Sequence, residues 1–195
     1  MASSPRTPLL RPRAYFESNG FHLRPALRAF AVAAVALVLA VVATAAVLVS
    51  RIDDAPAFAT LLPPLLLTVL LGVVGWVITV LLITVVADAL LGDRSRVGPA
   101  LTVATWATAL GALTSVLGFA LAAGTLGAAG GTSVAALRTT LSGASLGSVV
   151  IGFVVAGWQT YVYAHGFAAV YDTDTLATGA LGFLFAYGGW LLGLI

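Results

Sequence analysis

Cysteine is absent from the 195 residues, and so is lysine; all nine basic residues are Arg. Without Cys there are no disulfides, thiolate metal sites or cysteine nucleophile. Two His, His22 and His165, are too few to suggest a dedicated zinc or iron site. The lack of Lys removes the phosphate-binding P-loop, and Glu17 is the only Glu, so no pair of glutamates marks a metal-dependent membrane protease. Charge itself is scarce, at 8% of residues, against roughly 25% in an ordinary soluble domain. A net charge of +2 is too small to imply nucleic acid as a partner or strong binding to anionic lipid.

What is present is apolar. Hydrophobic residues make up 61% of the chain, and the mean hydropathy is +1.09. A soluble domain of this size keeps too much surface in water to hide that share. The expected fold is therefore all-α: a polytopic membrane bundle. A β-barrel is disfavoured because the apolar runs are continuous and do not alternate with period two.

A helix needs about 20 mostly apolar residues to cross the hydrocarbon. Five stretches qualify, at about 29–50, 64–87, 98–122, 148–170 and 175–195. Pro63 and Pro64 are expected to open the second helix, after a short interfacial lead-in from Phe58 to Leu62. The Gly-rich stretch 123–147 contains Arg138 and reads as an external loop with room for one short interfacial helix at about Val134 to Leu141, and with a re-entrant segment as the alternative. The chain thus divides into a basic cytoplasmic or interfacial lead, 1–28, and a five-span membrane domain, 29–195. Ala43-Thr44-Ala45 resembles a signal-cleavage site, but the lead before the apolar run is long for a signal peptide, so the first span is expected to stay.

Orientation follows from arginine. Arg6, Arg11, Arg13, Arg24 and Arg28 precede the first span, and Arg94 and Arg96 lie between the second and third. Placing both groups inside leaves only Arg51 and Arg138 outside. Five spans then put the C-terminus outside. The expected location is the cell membrane, multi-pass. The Arg-only, Ala- and Val-rich composition points to a prokaryotic source.

Few side chains offer chemistry. Gly143-Ala144-Ser145-Leu146-Gly147 matches G-x-S-x-G, but no strand precedes it to build a nucleophile elbow. Ser145 and His165 flank one span and would stand about 30 Å apart at about 1.5 Å per residue, too far for a dyad. No catalytic, cofactor-binding or metal-ligating residue is expected, and no cofactor.

The densest polar decoration lies on the fourth span. Trp158, His165 and Asp172 recur every seven residues, with Tyr161 on the same face and Gln159 and Tyr163 nearby. Polar groups within a membrane often line a path or a site. Together with Asp88, at the end of the second span, Trp158, Gln159, Tyr161, His165 and Asp172 form a candidate polar stripe. The plainer reading is a packing face, with Trp and Tyr as belt residues. Asp88 is equally a helix-end residue paired with Arg94 or Arg96, and Asp172 and Asp174 are expected to cap the fifth helix. Small residues at four-residue spacing, such as Ala36-Ala40-Thr44, Ala104-Thr108-Ala112 and Ser148-Gly152-Ala156, suit close helix packing in lipid.

Certain segments carry a family resemblance. The lead contains Leu10-Arg11-Pro12-Arg13-Ala14-Tyr15-Phe16. The second span ends in Ala87-Asp88-Ala89-Leu90-Leu91-Gly92-Asp93 and leads into Thr102-Val103-Ala104-Thr105-Trp106-Ala107. The fourth span carries Trp158 and then Gly166-Phe167. This layout resembles the prokaryotic branch of the Yip-domain family, five-span integral membrane proteins. Asp88 stands where the family usually has His or Tyr, and Trp106-Ala107 where a Tyr-Ala pair is usual. The resemblance implies a non-enzymatic membrane protein, and it transfers no site residues. Eukaryotic members are associated with Rab-type GTPases and vesicle traffic, a role a prokaryotic member would not share. The expected function is a membrane scaffold or organiser acting through protein or lipid contacts. Its partners would be membrane lipids, a second copy or another membrane protein. The alternative is a small transporter or channel using the polar stripe, which would require His165, Gln159, Tyr161 and Asp88 to line one cavity.

Overall fold

A computed structural model describes residues 5–51, 57–92, 95–128 and 134–192, without the side chains of 134–138, 140, 143, 144 and 192. Asp53, Asp54, Asp93, Arg94 and the Arg138 side chain lie outside the described residues. The described residues form six helices and no strand: α1 (Pro12–Asn19), α2 (Leu23–Val49), α3 (Phe58–Leu91), α4 (Val97–Ala128), α5 (Val134–Tyr171) and α6 (Thr175–Leu192).

Among the described residues, α2, α3, α4 and the Ser145–Tyr171 part of α5 are long and apolar enough to cross a membrane, and α6 is a shorter apolar helix. Their outward faces are apolar too. Leu67, Leu70, Leu71, Leu82 and Val85 of α3 are all more than half exposed. Patches of that kind are rare on soluble monomers but fit lipid. This is a multi-pass membrane protein.

Besides α2, which begins at Leu23 and so carries Arg24 and Arg28 of the expected lead, three boundaries differ from expectation. The stretch 123–147 is helical where it is described: α4 runs on to Ala128 and α5 starts at Val134. Each Gly lowers helix propensity by about 1 kcal/mol, but a helix satisfies every backbone group internally, which matters more where water is scarce. Likewise α3 begins at Phe58, so Pro63 and Pro64 lie within the helix instead of opening it. They stay within its first two turns, close to the end where missing N–H groups are tolerated best. The third is at α5, which ends on Asp172 with φ of +51°. The Thr173 N–H donates to the Ala168 carbonyl at 3.3 Å, the closing bond of a Schellman cap. Asp172 therefore ends α5. Asp174 alone caps α6, its Oδ1 accepting the Leu176 N–H at 3.1 Å.

The core centres on α4, which packs against α2, α3 and α5. Ala100, Ala104 and Ala107 are fully buried, and Thr108 and Ala112 nearly so. The small-residue row on this helix is thus a packing seam. Backbones approach closely there, and dispersion and interhelical hydrogen bonds replace the hydrophobic drive that lipid lacks. Thr44 of α2 shows the latter, its Oγ1 donating to the Phe119 carbonyl of α4 at 2.9 Å. At one end of the bundle Tyr163 and Phe167 of α5 stack at 5.5 Å and are almost wholly buried. Leu37, Val41 and Val69 form a smaller cluster between α2 and α3. In contrast, α3 and α6 barely touch.

Candidate functional site

The N-terminal segment is folded into the bundle. Pro8, Pro12, Tyr15 and Phe16 are buried, whereas Arg13, Ala14, Glu17 and Ser18 are exposed. The buried set follows a helical stripe in number, positions 8, 12, 15 and 16. Pro12 sits in the first turn of α1, where its missing N–H leaves nothing unpaired. Arg13 Nε donates to Glu17 Oε1 at 2.8 Å on the outer face, and this pairing raises the Arg13 pKa above its ordinary value. Burial pushes the Tyr15 phenol above the ordinary tyrosine range.

Phe16 is the anchor. Its ring stacks on Phe21 at 5.3 Å and meets Tyr15 edge-on at 5.2 Å, and Tyr15 meets Trp106 of α4 edge-on at 6.0 Å. Gly166 of α5 makes room for it. A Cβ at that position would stand 2.6 Å from Val103 Cγ1 and 3.2 Å from Phe16 Cε2, so any larger residue would push α4 or the segment away.

The expected stripe on α5 supplies the other half of this junction. Trp158 Nε1 donates to the Leu9 carbonyl at 2.7 Å, and the Tyr161 hydroxyl to the Leu10 carbonyl at 3.2 Å. His165 packs edge-on to Tyr161 at 4.6 Å. Leu9 and Leu10 precede α1, so no helix ladder takes up their carbonyls. The two aromatic donors answer a real backbone demand.

The remaining stripe residues go elsewhere. Gln159 points toward α4: its Nε2 donates to the buried Ala107 carbonyl at 2.9 Å, and it occupies the space beside Gly111, where a Cβ would collide with it. Asp88 closes the far end of α3. Its Oδ1 accepts the Arg96 backbone N–H at 2.7 Å and the Tyr171 hydroxyl at 3.3 Å. The Arg96 guanidinium donates to the Val170 carbonyl. A carboxylate thus meets the N-terminus of α4 and an arginine meets the C-terminus of α5, both favoured by the helix dipole. The expected pairing of the Asp88 carboxylate with the Arg96 side chain is not formed: Asp88 takes the backbone N–H, and the guanidinium turns to Val170. Asp172 is exposed at the α5–α6 turn.

His165, Gln159, Tyr161 and Asp88 therefore do not share a cavity. Of the four, only Gln159 lines the large one, a space of about 750 Å³ between α3, α4, α5 and α6. Ser145 also borders it, but its Oγ bonds the Ser142 carbonyl within its own helix. Ser145 and His165 sit on one continuous helix, with no dyad between them. Among the described residues no group of three or more His, Cys, Asp or Glu is placed to hold a metal.

Two features escaped the sequence reading. One is the burial of Pro8, Tyr15 and Phe16, whose spacing was legible but whose prolines hid the helix. The other is the cavity, for which no residue pattern is a signal. No curated protein and no solved structure proves similar to the chain. The Yip1 domain, however, matches residues 7–195, from the buried N-terminal segment through the last helix, and the chain belongs to the Yip1-domain family.

Proposed function

We propose that this protein is a non-enzymatic scaffold or organiser of a prokaryotic cell membrane, crossing it five times with the N-terminus inside. It would work through protein or lipid contacts made by the docked N-terminal segment. The observation that carries this reading is how α1 divides: Tyr15 and Phe16 are buried, while Arg13 and Glu17 face outward. A tethered arm would not be held by four helix-facing side chains. Arg6 and Arg11 of the segment are exposed, as are Arg24 and Arg28 in the first turns of α2, and a basic surface suits anionic headgroups or an acidic partner. The transporter reading loses its support, because the polar stripe divides between a docking face, a helix contact and a helix end.

Mild-detergent purification followed by cross-linking and mass spectrometry tests the reading. A stoichiometric protein or anionic lipid held by wild type, and lost in Arg11→Glu/Arg13→Glu, is the expected result. Solute flux through liposomes containing the protein alone would overturn it. The topology has its own test, made clean by the absence of native Cys. Cysteines replacing Ser18 and Leu191 are expected to react with impermeant reagents from opposite sides of the membrane. Labelling of both from one side would rule out five spans.

A further inference from the structure

The geometry points to the cavity between α3, α4, α5 and α6 as a binding site for an uncharged, carbonyl-bearing membrane amphiphile. This goes beyond the scaffold reading and does not rest on it. At about 750 Å³ the space falls within the roughly 300–1,000 Å³ of typical ligand pockets.

Its lining sets the chemistry. Among the described residues the lining holds no Asp, Glu, Arg or His; the polar members include Thr79, Ser115, Ser148, Gln159 and Tyr163. A charged head would lose its hydration there with no counter-charge to replace it. The head must be neutral. Two polar atoms in the wall are buried without a hydrogen-bond partner: Thr108 Oγ1 and Trp190 Nε1. Thr108 is only 6% exposed. An indole N–H can only donate, and a hydroxyl can donate as well. Leaving such groups unpaired in a dry site is costly, so the missing piece is an acceptor oxygen, and a carbonyl supplies it.

The way in comes from the fold. Of the four lining helices, α3 and α6 barely touch, so their gap opens sideways toward lipid. A ligand arriving there is borne by the membrane, and its apolar tail is left in lipid. Two sources have this chemistry: the ester-linked glycerol end of a diacylglycerol and the head of an isoprenoid quinone.

Equilibrium binding of radiolabelled dioctanoylglycerol and decylubiquinone to the full chain in phosphatidylcholine nanodiscs tests the proposal. Dioctanoyl phosphatidate serves as the charged control. Saturable one-to-one binding of either neutral compound is expected, with phosphatidate at least tenfold weaker; whichever neutral compound binds names the source. Thr108→Val and Trp190→Phe should each weaken binding about five- to tenfold. In ligand-free protein Thr108→Val should leave the Tm unchanged or raise it, because it removes an unpaired hydroxyl. No saturable binding of either neutral compound would overturn the assignment. So would equal binding of phosphatidate, unchanged affinity in both variants, or a lowered Tm for ligand-free Thr108→Val.

Discussion

The polar side chains on the two sides of α5, its own and those of the helices packed there, differ in whether they are answered. On the face toward α1, Trp158 and Tyr161 each meet a carbonyl of the N-terminal segment, and His165 packs on Tyr161. On the face toward α6, Gln159 is bonded to α4, but Thr108 and Trp190 nearby leave donors unpaired beside open volume. Similar residue types thus serve two ends. Trp106 Nε1, beside Tyr15, is buried without a partner, but it does not border the cavity, and the bonds made by Trp158 and Tyr161 fix one arrangement of the chain there. Where donors are left over beside a space, the arrangement is complete only with something in it.

The sharpest way to break the closed face is to remove its anchor. Phe16→Ala deletes an almost wholly buried ring and should destabilise by about 3–5 kcal/mol. The expected readout is a clear fall in Tm in mild detergent, together with rapid proteolysis of the N-terminal segment. Unchanged Tm and an intact segment would mean that the aromatic cluster does not hold α1. The same cluster can be attacked from α5. Gly166→Leu overfills the contact with Val103 and Phe16 and should cost about 1–3 kcal/mol, with the same proteolytic signature.

A smaller effect is expected from the hydrogen bonds on that face. Trp158→Phe keeps a ring but leaves the Leu9 carbonyl unanswered, a loss of about 1–2 kcal/mol. If Trp158→Phe proves neutral while Thr108→Val destabilises, the two faces have been assigned the wrong way round. Asp88→Asn should cost about as much, through weaker bonds to the Arg96 N–H and Tyr171. Thermal unfolding reads both, and Asp88→Asn should leave the N-terminal segment protected.

The four long apolar helices were legible because length and apolarity alone decide them; where a fifth span was expected, the described residues form only the shorter apolar α6. The polar face of α5 was legible as well, since seven-residue spacing fixes which side chains share a face. Where each would go was not. Trp158 and Gln159 are adjacent in sequence, yet one meets the N-terminal segment and the other meets α4, and only the helix crossings decide that. Of the stretch 123–147 only a short helix at about Val134 to Leu141 was foreseen, and the continuous helix was missed because glycine is a weak helix former in water, a preference that backbone satisfaction overrides in a bundle. The cavity had no local sign at all, being a space that α3 and α6 fail to close.

Tyr15 gives the smallest test of the closed face, and its sign is fixed. Burial raises its pKa above the ordinary value of 10.0, so the docked segment holds the neutral phenol. Below pH 10 both docked and released forms are neutral, and docking keeps its full strength. As pH rises through the ordinary value the released form loses its proton first, which favours release. Docking should therefore weaken as pH rises from about 10 toward the raised pKa of the docked phenol. Comparing Tm between pH 9 and pH 11 with that of Tyr15→Phe isolates this contribution, because the variant keeps the ring and loses the titration. The wild type is expected to fall more steeply than Tyr15→Phe. Parallel curves would mean that the phenol is as well solvated in the folded chain as in water, and that α1 is not sealed against the bundle.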